Sequence, residues 1–156
     1  MISKILFRSI DVVRPFVIDG RRVLVWRRYL DTGSNRMRLL VVDDDLDMLR
    51  NLALMLSLEG YYVMTASSGI DASVFIAEHK FDVVITDLRM PIVDGYEIVR
   101  RTKAIRPETS IIVTSRYLDD DTRKWMQSEG VVGLEKPYNV HQISAMLREF
   151  TGNHLS

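Results

Sequence analysis

The sequence predicts an α/β fold built on a parallel sheet, and two observations predict it. From Met37 onward, five short β-type runs alternate with stretches of helical periodicity. Most of these runs are near-continuously apolar, as strands covered on both faces are. They lie at 38–42, 62–66, 83–86, 111–114 and 131–134. After the first run, Leu49, Leu52, Ala53 and Leu56 follow the i, i+3, i+4, i+7 rule of a helix with one buried face. Ala72, Phe75 and Ile76 follow it for one turn after the second. Asp94 with Glu97 reads as an N-cap and N3 pair opening a helix at Gly95, and Asn139 with Gln142 opens another at Val140. Helical stretches at 123–129 and 140–150 complete a (βα)5 pattern, which implies right-handed crossovers.

Composition narrows the class further. A chain of 156 residues has room for one ordinary domain, and 47% hydrophobic residues suffice for a packed core. The absence of cysteine excludes disulfide frameworks, cysteine nucleophiles and thiolate metal sites. No apolar run approaches the length of a membrane span, and charges interrupt the first residues where a signal peptide needs an apolar core. The expected location is the cytoplasm, with no membrane partner. The zero net charge is unevenly spread. Residues 1–37 hold eight Lys/Arg against three Asp, a net of +5, and the remainder carries the balancing −5.

In open parallel sheets, function gathers at the carboxyl ends of the strands. The first strand ends in Asp43, Asp44 and Asp45, the third in Asp87, the fourth in Thr114 and Ser115, and the fifth runs into Lys136. Three carboxylates at one point repel unless a cation sits among them, and all-oxygen ligands favour a hard ion such as Mg²⁺. Lys136 suits a phosphoryl oxygen as a point charge, and Thr114 can donate to another. An Asp is already an ionised nucleophile at neutral pH, so phosphoryl transfer onto it needs alignment and charge neutralisation but no general base. His79, His141 and His154 are scattered, without metal spacing. The rim reads as a site that accepts a phosphoryl group on Asp87.

Residues 38–150 resemble a response-regulator receiver domain of bacterial two-component signalling. The resemblance rests on Leu40-Val41-Val42-Asp43-Asp44, Ile85-Thr86-Asp87-Leu88-Arg89-Met90-Pro91, Asp94-Gly95-Tyr96-Glu97, Val113-Thr114-Ser115 and Glu135-Lys136-Pro137-Tyr138, in order. It implies a flavodoxin-like, doubly wound, five-stranded parallel sheet of order 2-1-3-4-5. It implies Asp87 as phospho-acceptor, and Asp43, Asp44, Asp87 and the Arg89 backbone carbonyl as ligands of Mg²⁺. Thr114 and Lys136 would contact the phosphoryl group, and Arg89 and Arg116 would flank the path of the hydrolysing water. A sensor histidine kinase would be the donor and a downstream effector protein the receiver of the signal. A second copy of the chain is a candidate partner, and direct contact of the receiver with nucleic acid is not expected. A cis Lys136-Pro137 bond is implied as well. Apart from taking on and slowly losing its own phosphoryl group, such a domain is not an enzyme.

Two rival readings stand beside this one. A haloacid-dehalogenase-like phosphatase places Asp-x-Asp after its first strand, as Asp43 and Asp45 do, but after Lys136 the only acid is Glu149, and no length remains for a cap. A receiver-like scaffold that does not switch would have no need of Asp87, Thr114 and Lys136 together. The triplet Asp119-Asp120-Asp121 is expected to be the solvated start of a helix, where negative charge suits the dipole. Trp26 and Trp125 are expected to be packing or half-exposed aromatics.

The chain divides into residues 1–36, a basic extension outside the resemblance, and 37–152, the receiver. In the extension, 14–18 and 23–26 around Asp19-Gly20 read as a β-hairpin. A lone hairpin is marginal in water, so it packs on the receiver, pairs with another chain or stays unfolded. Alternatively the extension is translated leader or appended sequence, with Met37 the natural start. Arg21, Arg22, Arg27 and Arg28 suit contact with nucleic acid, contact with the acidic receiver, or a solvated face. About twenty residues follow Lys136, enough for one helix and a tail, so the chain is a stand-alone regulator or a piece of a larger protein. The sequence departs from the family at Gly133, three residues before the lysine, where receivers carry a Tyr or Phe that rotates on activation. Either Leu134 slides into that slot or the slot is empty. Activation is then expected to travel through residues 115–121 and the helix after them, with Tyr117 as a substitute aromatic.

Overall fold

Alternating strand residues point to opposite faces, so a run such as Arg38–Val42 must find apolar cover on both sides. The computed structural model describes residues 14–18, 21–26 and 36–153 and shows how that cover is supplied. In chain order its elements are β1 (Arg14–Ile18), β2 (Arg21–Trp26), β3 (Arg38–Val42), α1 (Leu46–Leu58), β4 (Tyr62–Ala66), α2 (Gly69–Glu78), β5 (Val83–Asp87), α3 (Gly95–Ile105), β6 (Ser110–Ser115), α4 (Asp120–Glu129), β7 (Val132–Glu135) and α5 (Val140–Asn153). The five strands from β3 to β7 run parallel in the order β4-β3-β5-β6-β7, which is the expected 2-1-3-4-5.

Leu39 and Val41 of β3 face one way and pack with Leu49, Leu52 and Leu56 of α1 and Ile143 and Leu147 of α5. Leu40 and Val42 face the other way, into a core with Ala72, Phe75 and Ile76 of α2 and Ile98 of α3. Farther along that face, Val99, Ile111, Val113, Leu118 and Met126 join α3 and α4 to β6. The apolar positions singled out by helical spacing are all buried. No described helix is long and apolar enough to cross a membrane.

The sheet is larger than the five strands expected. The two strands pair as a hairpin, the second starting at Arg21 rather than at 23, with Arg14 opposite Val25 and Ile18 opposite Arg21. It then pairs antiparallel with β4 (Val25 with Met64, Trp26 with Val63), so among the described residues the sheet has seven strands. The physical reason is the free edge of β4, whose N–H and C=O groups would otherwise have only water as partner. The Asp19-Gly20 turn itself, the stretch 27–35 and the side chains of the hairpin, Trp26 among them, lie outside the described residues.

Side-chain caps start each helix at the carboxyl rim. Asp45 accepts from the amides of Asp47 and Met48, Ser68 from Asp71 and Asp94 from Glu97. Asp119 accepts from Thr122, which starts α4 at Asp120 rather than at 123, with Asp120 and Asp121 in its first turn as the dipole favours. Asn139 and Gln142 bond each other's backbone amides reciprocally. The last strand lies one residue later than expected, because the Val131 amide is taken by the Met126 carbonyl at the end of α4.

Two glycines let the segment after Asp87 cross the rim. A Cβ on Gly95 would stand 2.3 Å from the Asp87 carbonyl oxygen, and one on Gly69 would stand 2.0 Å from that of Val93. In both cases the obstacle is backbone, which cannot swing aside. Gly95→Ala is therefore expected to cost about 1–3 kcal/mol, the range of overpacked sites. Thermal or urea melting checks this, and an unchanged midpoint would contradict it.

Candidate functional site at the carboxyl rim of the sheet

Strand ends in register bring the chemistry together. Asp43 follows β3 directly, Asp87 is the last residue of β5, and Thr114 pairs with Asp87 across to β6. Lys136 follows β7, its amide bonded to the Ser115 carbonyl at 2.7 Å, and the Lys136-Pro137 bond is cis, as expected. The Lys136 ammonium reaches Asp43 Oδ2 at 2.8 Å and Asp87 Oδ2 at 3.6 Å. These side chains keep only 9%, 5% and 10% exposure for lysine, Asp43 and Asp87. Carboxylate oxygens of Asp43, Asp44 and Asp87 lie within 4.8 Å of one another. Beside them opens a cavity of ≈ 270 Å³, lined also by Asp45, Arg89 and Arg116.

The electrostatics are those of a cluster short of positive charge. Three carboxylates face one ammonium; Asp43 and Asp87 are buried while Asp44 stays exposed, and holding like charges this close is costly unless a further cation compensates. Burial pushes the Asp87 carboxyl above its usual range, opposed by Lys136 and by the Arg89 backbone N–H and reinforced by Asp43 and Asp44. An all-oxygen donor set of this charge fits a hard divalent cation. Asp45 turns its Oδ1 to the amides of α1, at 3.1 Å from both Asp47 and Met48, instead of pairing with Asp43 as a phosphatase Asp-x-Asp would.

Thr114 is buried, at 1% exposure, and borders a narrow void that Tyr138, with its phenol, also lines. Burial, with Asp43 and Asp87 nearby, pushes that phenol up to about 12. Sequence reasoning gave Tyr138 no role. The signal was a hydroxylated aromatic directly after Lys136-Pro137.

The slot at Gly133 is neither empty nor taken by Leu134. A Cβ there would lie 2.1 Å from Met126 Cε and 2.7 Å from its Sδ, so a thioether from α4 fills the place. Leu134 points to the opposite face and packs with the α1 and α5 core. Because Val113 pairs with Gly133 and Thr114 with Leu134, period-two alternation keeps the two residues on different sides. Tyr117, in the following loop, is 68% exposed, and Trp125 packs half-buried on Tyr96 with ring centroids 4.4 Å apart.

Comparison with known proteins agrees with this geometry. The response regulator receiver domain model matches residues 39–148. The transcriptional regulatory protein PrrA of Mycobacterium tuberculosis is 32% identical over 120 residues, covering 76% of this chain and 52% of that protein. A response regulator receiver protein of Anaeromyxobacter is 35% identical over 107 residues, covering 68% of this chain and 45% of that protein. The chain thus spans about half the length of the curated relatives it matches. Among solved structures, the BeF3-activated DrrB receiver domain superposes with a TM-score of 0.68 at 31% identity, covering 76% of this chain and 99% of that one. Chemotaxis protein CheY4 of Vibrio cholerae gives 0.69 at 26% identity, with coverage of 74% and 99%. The chain belongs to the response-regulator receiver family of two-component signalling, whose role is signalling rather than catalysis.

The raised Asp87 carboxyl has a consequence for stability. A group whose pKa is higher folded than unfolded stabilises the fold while protonated and loses that contribution as pH rises through its folded pKa. At neutral pH the ionised Asp87 is therefore a liability. Asp87→Asn is expected to melt at a higher temperature than wild type near neutral pH in chelator. The gap should close as pH falls below the folded pKa of Asp87. Thermal melts across that range check it, and a lower melting temperature for the variant at neutral pH would contradict it.

Proposed function

We propose that Asp87 accepts a phosphoryl group from the phosphohistidine of a sensor histidine kinase, and that residues 37–152 form the unit that carries this chemistry. The observation that supports it most is the convergence of Lys136, 3.6 Å from Asp87, with the three carboxylates beside an open cavity. Asp43, Asp44, Asp87 and the Arg89 carbonyl would hold Mg²⁺, which when bound supplies neutralising charge for the phosphoryl oxygens. The chain's own residues do the rest. An Asp87 carboxylate oxygen attacks phosphorus in line while the bond to the leaving group breaks. Lys136 shifts from Asp43 toward a phosphoryl oxygen, and Thr114 donates to another. Arg89 and Arg116, both at the cavity wall, hinder the approach of water. A phosphohistidine donor of this kind would be met in the cytoplasm. The domain's output is a changed surface read by an effector protein, and residues 1–36 are an extension to that unit.

Incubation of the full chain with acetyl phosphate and Mg²⁺ is expected to give one phosphoryl group per chain, on Asp87, and Asp87→Asn is expected to take none. Peptide mass spectrometry reads the position, and a label on another residue would overturn the assignment. Repeated turnover of an aryl phosphate would favour a phosphatase instead.

With Gly133 lacking a side chain to rotate, the change is expected to pass through residues 115–121 and α4. Amide hydrogen exchange with and without beryllofluoride should show altered protection at 115–129. Changes confined to β7, or no change anywhere, would refute this route.

A further inference from the structure

The register of the N-terminal hairpin fixes which of its backbone groups face where. A β-turn hydrogen bond closes a two-residue loop, so Ile18 and Arg21 form a hydrogen-bonded pair. In an antiparallel ladder such pairs alternate with pairs whose N–H and C=O groups point away. Phe16 with Val23 and Arg14 with Val25 therefore bond each other, whereas Leu24 and Trp26 turn their backbone groups toward β4. Pro15 and Val17 turn theirs outward, away from β2. The same alternation makes Trp26 and Val63 a hydrogen-bonded pair, with the Val63 amide facing β2. Tyr62, one residue earlier, gives its amide to the Met37 carbonyl on the opposite side, as this parity requires.

The two edges differ in chemistry. β4 reads Tyr-Val-Met-Thr-Ala, without charge, proline or glycine, and such a strand has nothing to deter pairing with another chain. The outer edge of the hairpin has Pro15 at an outward position, where the missing N–H costs the hairpin no bond and leaves a newcomer without a donor. Among the described residues no strand lies beyond β1.

We propose that the edge of β4 is a docking surface for a second copy of this chain, and that the hairpin occupies it in cis and ends the sheet at Pro15. A second copy fits because the strand is uncharged and complementary to itself. Turned about a two-fold axis at Met64, Val63 lies opposite the partner's Thr65. Both residues have the parity that faces away from β3, so the two strands bond antiparallel with no like charges meeting. The hairpin holds its place by a short ladder, Val25 with Met64 and Trp26 with Val63. The chain stays a monomer while the hairpin is seated and pairs with a second copy once it lifts.

The test uses the full chain and its Trp26→Pro variant. Proline there deletes the N–H that faces Val63, leaves the bonds within the hairpin intact and suits an extended residue before it. In wild type, amide hydrogen exchange is expected to show Val63 protected equally at low and high protein concentration and Val17 fast, with a monomer mass in sedimentation. In the variant the Val63 amide is expected to exchange about five- to tenfold faster in dilute solution, the worth of one hydrogen bond. It should regain protection at high concentration as the mass doubles. Trp26→Phe, which keeps the N–H, is expected to match wild type. If proline at 26 unfolds the chain, Leu24→Pro removes the next amide on the same side, with the same expected outcomes. An unprotected Val63 or a slow Val17 in wild type would overturn the cap, and neither reading needs a variant to fold. A folded proline variant that keeps Val63 protected when dilute would overturn it too. One that loses protection and stays monomeric when concentrated would overturn the docking surface.

Discussion

The contact between the Lys136 ammonium and two nearly buried carboxylates is the constraint on which the rest of this structure depends. Asp43 and Asp87 come from different strands, Lys136 from a third, and the three meet only if β3, β5, β6 and β7 are in register at their carboxyl ends. Charges so far out of water are tolerable because each has an opposite charge or an amide in reach. Asp43 takes the lysine on Oδ2 and the Asp45 amide on Oδ1, and Asp87 has the same lysine 3.6 Å from its Oδ2. The compensation is incomplete, as the raised Asp87 carboxyl shows. A site left short of positive charge in this way is one that gains from binding a cation, and the proposed chemistry uses that deficit.

Much of this architecture was legible in the sequence because the two cores impose simple patterns on it. Leu39 to Val42 must be apolar throughout, since alternate residues enter different cores. The rim residues stood out because each interrupts such a run at its carboxyl end. What stayed hidden were contacts between residues with no pattern linking them. Nothing in a glycine at 133 points to a methionine seven positions earlier, because the contact needs a helix and a strand to be placed side by side. The Tyr138 phenol is similar. Its meaning depends on where Thr114 lies, and a sequence carries no such distance. The hairpin was legible as a hairpin, but its partner β4 was not, because edge pairing is backbone chemistry that almost any side chains permit.

The filling of the Gly133 slot bears on the route proposed for signalling out of the site. In a receiver with an aromatic on the last strand, the moving part belongs to the sheet. Here the slot holds part of α4, a helix with several further ties. Tyr96 packs at a tilt against Trp125 and bonds Thr122, Lys103 donates to the Glu129 carbonyl, and Arg123 reaches Glu135 at 3.3 Å. The loop joining Thr114 to α4 is pinned at Ser115, whose hydroxyl donates to the Tyr117 carbonyl. Displacement at Thr114 therefore meets a helix keyed into the sheet through Met126.

An unbranched thioether suits that position. Met126 has several rotatable bonds and fits an irregular gap without one required shape, so α4 can shift by small amounts while its tip stays in the slot. A rigid ring would either fit or not, whereas methionine permits graded repacking. The aromatic pair Tyr96–Trp125 packs against the same cluster as Met126, next to a cleft of ≈ 410 Å³ that also includes Ile92, Arg100 and Glu129. Movement of α4 on its methionine pivot would open or close that cleft. On the proposed route a change near Asp87 would emerge between α3 and α4 rather than at the outer strand, where Gly133 offers no side chain to read.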